Sequence, residues 1–425
     1  MSRMAAIIVV VLALSASLGR GQWIEDSIWV PGACQDIAYN PVSNKVYVAL
    51  TTDQVAIIDG STNQVINTVS APEYPNQLAV NTVSNKVYCI SGDADVLTII
   101  CGAGDTLIKT LNLPGFPHQM AFNPTMNRLY VASFDLGLVR IIDGARDSLL
   151  KSVRLGSSGP GYLLWHPNTN RLFCSVGSVD VLDCVSEEVV HSNSMQGAGV
   201  MCHNRVNDFV YVLTGDTVYG LAAAGDSIVA KIPLHIGYYG AAACAVPYPN
   251  KVYAEAYRIQ VIDCNTNALI TTLSGREGEL VCDTIAGKVY GTTPGQGVRV
   301  FDAHSDTMVG GFDGDPVALA WNWRNRRMYA ADWRGFVYSI EDTASAVEEG
   351  ATPNAEYWTC HPTVVRGVLM GSWPMAGGVR QELLDAAGRG VMELRPGPND
   401  VRHLNAGVYF IRKDGERARK VIIGR

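Results

Sequence analysis

The sequence predicts an all-β chain: an eight-bladed β-propeller closed by its own N-terminal strand and followed by a small C-terminal β-sandwich. Three observations carry this. An aromatic anchor recurs at Tyr47, Tyr88, Tyr130, Phe173, Tyr211, Tyr253, Tyr290 and Tyr329, at spacings of 41, 42, 43, 38, 42, 37 and 39 residues. A period of about 40 marks a repeat architecture whose units cannot bury their apolar faces alone. Each unit reads as four short runs of β-forming residues with no helical period. The last unit lacks a fourth strand, and an orphan strand stands at the N-terminus.

The first unit shows the pattern. Ile37-Ala38-Tyr39 is a short apolar run ending at the Asn40-Pro41 turn, because proline cannot donate to a ladder. Asn44 can close that turn with its side chain. Lys45 to Ala49 is rich in β-formers and reads as the second strand. Thr51-Thr52-Asp53 turns, Gln54 to Asp59 is the third strand, and Gly60 to Asn63 turns again. Gln64 to Val69 alternates and reads as a half-exposed outer strand. Four antiparallel strands in about 40 residues describe a propeller blade.

Later units repeat the third strand at Val139–Asp143, Val179–Asp183, Ile259–Asp263 and Val298–Asp302. Fourth strands include Leu107–Leu111, Leu149–Val153, Ile228–Ile232 and Leu269–Leu273. The eighth unit stops after its third strand, Phe336–Ile340. Asp26 to Val30 matches the fourth-strand pattern, and pairing it with the eighth unit would remove an open edge. Seven blades is the alternative if one of the degenerate copies, 200–232 or 280–312, is not a full blade.

The runs Asn44 to Ala49, Val55 to Asp59 and Asn63 to Val69 resemble the YVTN-type β-propeller repeat, over residues 23–342. That resemblance implies a secreted or surface-layer protein. Cys101 stands where the strand-ending Asp is expected, and Ala222 stands near it in the fifth unit.

The organisation expected is a signal peptide at 1–21, a propeller at 22–342, a linker at 343–358 and a C-terminal sandwich at 359–425. Arg3, the apolar run Ala5 to Leu14 and the small residues from Ser15 to Gly19 read as a cleaved export signal. Ten apolar residues are too few to span ~30 Å of hydrocarbon. No later stretch reads as a transmembrane segment. In the tail, strands are expected at Thr363–Met370, Glu382–Leu384, Val391–Leu394, Gly407–Arg412 and Lys420–Ile423, with a turn at Pro396 to Asp400. Leu383 to Arg389, Leu404 to Arg412 and Arg419 to Ile423 resemble the C-terminal sorting domain of the type IX secretion system. The resemblance makes Asp385, Gly388, Arg389, Gly407, Tyr409 and Lys420 the sorting motif and the secretion machinery a partner.

Composition narrows the function classes. Apolar residues make up 48% and charged residues 17%, which excludes a disordered chain. A net charge of −7 without interleaved basic and aromatic residues argues against nucleic acid. The ten cysteines fall partly at equivalent positions: Cys89 and Cys174 after their anchors, Cys202 and Cys244 nine residues before theirs. That recurrence fits small buried hydrophobes better than a disulfide framework.

A binding site would lie at one mouth of the channel. The residues twelve before each anchor are Gln35, Asn76, His118, Gly161, Gly199, Ala241, Gly278 and Val317. Gln35, Asn76 and His118, with Tyr162, Tyr238 and Tyr239 nearby, are the candidate ligand contacts; as ordinary turn residues they need no ligand. His118, His166 and His203 stand 12, 7 and 8 residues before their anchors, unequal offsets that argue against a shared metal. No metal or cofactor is expected. The acids Asp59…Asn63, Asp143…Asp147, Asp263…Asn267 and Asp302…Asp306 read as turn closures rather than calcium loops. There is no catalytic motif. The expectation is a non-catalytic secreted or cell-surface module binding a surface protein or glycan. The alternative is a propeller enzyme of lactonase or lyase type that uses the channel mouth.

Overall fold

The computed structural model describes residues 23–341 apart from 157–158, 225–226, 235–241, 276–277 and 294. In the tail it describes 363–365, 368–371, 381–385, 389–394, 397–401, 404–405, 407–413 and 419–423. The export signal read at 1–21 and the linker at 343–358 lie outside the described residues.

Eight four-stranded antiparallel sheets form the propeller. Their first strands are Cys34–Asn40, Gln77–Asn81, Pro117–Asn123, Tyr162–His166, Met201–Asn204, Ala242–Val246, Leu280–Asp283 and Pro316–Asn322. These strands adjoin in cyclic order, and that of blade eight meets that of blade one. The degenerate fifth and seventh copies are full blades, so there are eight. Among the described residues, no helix is long and apolar enough to cross a membrane.

The ring is closed by the N-terminal strand. Trp23–Trp29 pairs antiparallel with Phe336–Glu341, the third strand of blade eight. It begins three residues earlier than Asp26, where the alternation becomes legible. Each of the seven other fourth strands carries a bulge that leaves one residue out of register: Ile66, Ile108, Leu150, Val190, Val229, Ile270 and Val309. The N-terminal strand bulges at the same place, at Glu25. These are the outer edges of the sheets, and a bulge there disrupts the flat ladder that another chain would pair with.

The repeated phrase turns out to be a clasp between blades. Its first Asn accepts a turn N–H with its side-chain oxygen, as Asn40 does from Val42 at 3.0 Å. The same side chain donates to the last Asn of the next blade's phrase: Asn40 to Asn85 at 2.9 Å, Asn81 to Asn127 at 2.8 Å, Asn123 to Asn170 at 2.7 Å and Asn204 to Asn250 at 2.9 Å. Asn322 of blade eight donates to Asn44 of blade one at 3.4 Å, across the seam. The acceptors Asn44, Asn85, Asn127, Asn170 and Asn250 have φ of +48° to +64°, which Asn tolerates better than most residues.

The Lys and Tyr of the phrase hold the next blade's outer turn. Lys251 Nζ lies 2.6 Å from Asp306 Oδ2, and Tyr253 donates to Asp306 Oδ1 at 2.5 Å. Lys45 meets Asp105 at 2.7 Å and Lys86 meets Asp147 at 2.8 Å. Tyr329 of blade eight donates to Asn63 of blade one at 2.7 Å. The anchors are therefore core residues with a polar task, their rings buried and most of their hydroxyls bonded across a seam. The first acid of each outer turn caps that turn: Asp59 accepts from Ser61 and Thr62, and Asp302 from His304 and Ser305. Cys101 takes this role in blade two, its sulfur 3.4 Å from Gly104 N.

Nine cysteines are free thiols, seven of them buried. Cys360 lies outside the described residues.

The tail forms a five-stranded sheet and a separate two-stranded one. The expected strand Thr363–Met370 is two, Thr363–Val365 and Val368–Gly371. The stretch read as a turn at Pro396 to Asp400 contains a strand, Gly397–Asp400, paired with Val368–Gly371. Pro398 is compatible with this because a two-stranded ladder is all edge, where a missing N–H can face outward. Leu383, Leu394, Val401 and Tyr409 form a small core.

Candidate functional site at the channel mouth

The start of each first strand lies beside the ring axis. Residues eleven before the anchors are Asp36, Gln77, Gln119, Tyr162, Val200, Ala242, Glu279 and Ala318. Polar side chains at this position reach the neighbouring first strand. Asp36 Oδ2 accepts from Leu78 N of blade two at 2.6 Å. Gln77 donates to Gln119 of blade three at 2.9 Å. Glu279 Oε2 accepts from Leu319 N of blade eight at 2.6 Å. Blade eight has Ala318 at this position, so the carboxyls of blades seven and one flank a small side chain.

Both acids resist ionisation. Each is only partly accessible to solvent. Burial pushes Asp36 up to about 7, against the pull of the Leu78 and Ile37 N–H groups. Burial and then the charge of Asp36 push Glu279 up to about 8. Glu279 is the higher mainly because a glutamate starts above an aspartate, 4.5 against 3.8, and the charge of Asp36 adds to the difference.

The residues twelve before the anchors have a different role in blades one, three and eight. There the ladder shifts register between Cys34 and Asp36, Pro117 and Gln119, and Pro316 and Ala318. Gln35, His118 and Val317 are the bulged residues. A bulge re-aims its neighbours, and the following residue is the one that reaches across in blade one. Asn76 is half-buried, its N–H bonded to Ile90 O at 2.9 Å. His118 is stacked on Phe116 at 6.3 Å and edge-on to Phe134 at 5.3 Å, and burial favours its neutral form. Tyr162 packs into the apolar cluster of Phe173, Val179 and Met195. Tyr238, Tyr239 and Ala241 lie outside the described residues.

The same face carries exposed aromatics in unusual backbone geometry. Tyr74, Phe116 and Tyr257 are 55%, 37% and 51% exposed, with φ of +51°, +54° and +68°. Bulky residues rarely hold positive φ, and such strain concentrates at functional sites. Tyr74 and Phe116 are repeat equivalents, 42 residues apart like their anchors. An Asp from the neighbouring turn holds each one: Asp53 accepts from Tyr74 N at 3.2 Å and Asp95 from Phe116 N at 2.9 Å. A groove of about 460 Å³ between blades one and two is lined by Asp53, Gln54, Pro72 and Thr110. The signal for these aromatics is legible, since Pro72-Glu73-Tyr74-Pro75 and Pro114-Gly115-Phe116-Pro117 are one pattern written twice. No comparable signal marks Asp36 and Glu279.

His118 stands apart from the other two histidines. His166 and His203 meet on the opposite face, their rings 4.3 Å apart, with Asp208 beside both. Their offsets of 7 and 8 do not separate them, because the ends of the first strands of blades four and five lie side by side across the seam.

In the tail, Asp385 holds Arg389, with Arg389 N at 3.0 Å and Nε at 2.8 Å from its carboxylate. Tyr409 is buried and donates to Asn405 O at 2.9 Å. Gly407 and Lys420 lie in the paired strands Gly407–Lys413 and Arg419–Ile423. Gly388 lies outside the described residues.

No protein-family model matches the chain, and no curated protein matches it. Among solved structures, hydrazine synthase of Kuenenia stuttgartiensis superposes with a TM-score of 0.54 at 16% identity, covering 75% of this chain and 97% of that one. At this identity the likeness shows the fold alone.

Proposed function

We propose that the chain is an exported, non-catalytic binding module that docks a glycan on the propeller face bearing Tyr74, Phe116 and Tyr257. The observation that carries this is three exposed aromatics held at positive φ on the face where Asp36, Gln77, Gln119 and Glu279 line part of the axis. Flat aromatic faces stack on sugar rings, and carboxyl and amide groups such as Asp36, Gln77, Gln119 and Glu279 bond hydroxyls. A glycan microarray probed with the intact chain should return a restricted set of ligands. The double change Tyr74→Ala and Phe116→Ala should weaken the best of them about 10-fold or more, since each stacked ring contributes roughly 1 kcal/mol. Equal binding by wild type and variant would refute the assignment.

Export and sorting rest on the sequence: the signal-type N-terminus, the YVTN-type repeat and the tail's resemblance to the type IX sorting domain. The Asp385–Arg389 pair and the buried Tyr409 stabilise the tail, which is what a folded recognition unit requires. Removing residues 359–425 should leave a folded propeller retained in the periplasm of a host with that secretion system. Surface display of the truncated chain at the normal level would sink the sorting role.

One observation favours an enzyme of lyase or lactonase type instead: two carboxyl groups poised to exchange protons near neutral pH. Turnover of a bound ligand that disappears in the Asp36→Asn, Glu279→Gln variant, with binding retained, would select this reading.

A further inference from the structure

The Asn ladder between blades is replaced at three seams, by His166 with Asp208, Val246 with Gly287 and Asp283 with Arg326, and the first of these brings metal-ligating side chains together. Where Asn40, Asn81, Asn123, Asn204 and Asn322 donate to an Asn of the next blade, blade four has His166 and blade five answers with Asp208. His203, at the end of blade five's first strand, adds a second imidazole. His203 Nε2 lies 3.0 Å and His166 Nε2 3.2 Å from Asp208 Oδ1. The three ligand atoms all lie within 4.8 Å of one another. From these side chains we infer a binding site for one divalent zinc-type cation in the seam between blades four and five.

Four features support it. Two imidazoles and one carboxylate form a donor set that suits zinc and leaves a fourth position open. Ligand atoms around tetrahedral zinc stand about 3.3 Å apart, given bonds of about 2.0–2.1 Å, and the two printed edges are near that value. His166 is fully buried, yet its Nε2 makes no hydrogen bond: it lies close to Asp208 but out of line with it. A buried ring nitrogen without a partner is costly unless something else fills the place.

The fourth feature is the support behind His166. Its Nδ1 is 2.9 Å from Thr169 Oγ1, and that hydroxyl lies 3.0 Å from Ala223 O. When the hydroxyl proton goes to the carbonyl, which can only accept, Oγ1 accepts from Nδ1–H. Nε2 then presents its lone pair to Asp208 and His203. This is the outer support that metal-binding histidines ordinarily have. Thr169 N, 3.4 Å from Nδ1, offers the competing arrangement in which His166 only imitates Asn. Asn168 Nδ2 holds Asp208 Oδ1 at 2.7 Å in either case.

The test uses the full chain without an affinity tag, dialysed against zinc chloride and then against metal-free buffer. Elemental analysis should return about one zinc per chain, and cobalt(II) should give the visible absorption of a tetrahedral complex. The control is the double change H166N and D208N, which restores the Asn–Asn bond used elsewhere in the ring. It should fold, with a melting temperature no lower than that of the metal-free wild type, and bind zinc at least 100-fold more weakly. No stoichiometric zinc in the wild type, or equal zinc in the variant, would overturn the site.

Discussion

Changing Asp36 to Asn and Glu279 to Gln together should raise the melting temperature of the chain by about 3–6 °C at pH 8 and change it little near pH 4, as measured by circular dichroism across pH. Burial raises these carboxyls from 3.8 to about 7 and from 4.5 to about 8. The folded chain therefore holds protons that the unfolded chain has released. Between pH 4 and 8 the native state binds more protons than the unfolded state, so stability falls as pH rises through that window. Full burial would make each shift worth about 4–5 kcal/mol, at 1.36 kcal/mol per unit. Both side chains keep some solvent contact, which reduces the total to about 2–4 kcal/mol. Asn and Gln keep an acceptor for Leu78 N and Leu319 N and carry no charge. A variant that loses stability with pH as steeply as the wild type would show that these carboxyls do not confront each other.

The second large effect concerns ring closure. A chain beginning at Pro31 should lose several kcal/mol of stability and associate, as read by urea unfolding and size-exclusion chromatography. Truncation removes the fourth strand of blade eight and leaves Phe336–Glu341 as an open edge. It deletes Ile28 and Val30, both buried, which contribute roughly 3–6 kcal/mol between them. It also removes Glu25, which pairs with Arg327 and accepts from Ser339 at 3.1 Å. Arg327 then faces Gly60 of blade one without its counter-ion. A truncated chain that unfolds at the same urea concentration would mean that the inter-blade clasps close the ring without the strand.

Much of the fold was legible because its causes are local. Proline stops a strand, Asn closes a turn, and alternation marks the outer strand. The N-terminal strand was legible as an orphan fourth strand, and its bulge at Glu25 matches the other seven. The Pro396 to Asp400 stretch misled because its composition favours a turn, while its pairing with Val368–Gly371 depends on a strand far away in the sequence.

The candidate site was less legible. The residues twelve before the anchors were expected to shape the mouth; bulges at Gln35, His118 and Val317 shift which side chain reaches the next blade. Side chains alternate with a period of two, so a bulge of one residue exchanges their faces. The repeat, the four strands per blade and the closure of the ring can be read from the residues alone, because period and turn chemistry are written within each unit. That the charge of Asp36 acts on Glu279 past blade eight, and that His166 meets His203 and Asp208, comes from the three-dimensional arrangement. Asp36 and Glu279 share one offset on blades one and seven, while His166 and His203 differ by one on blades four and five, so which copies meet is set by how the ring closes and not within any single repeat.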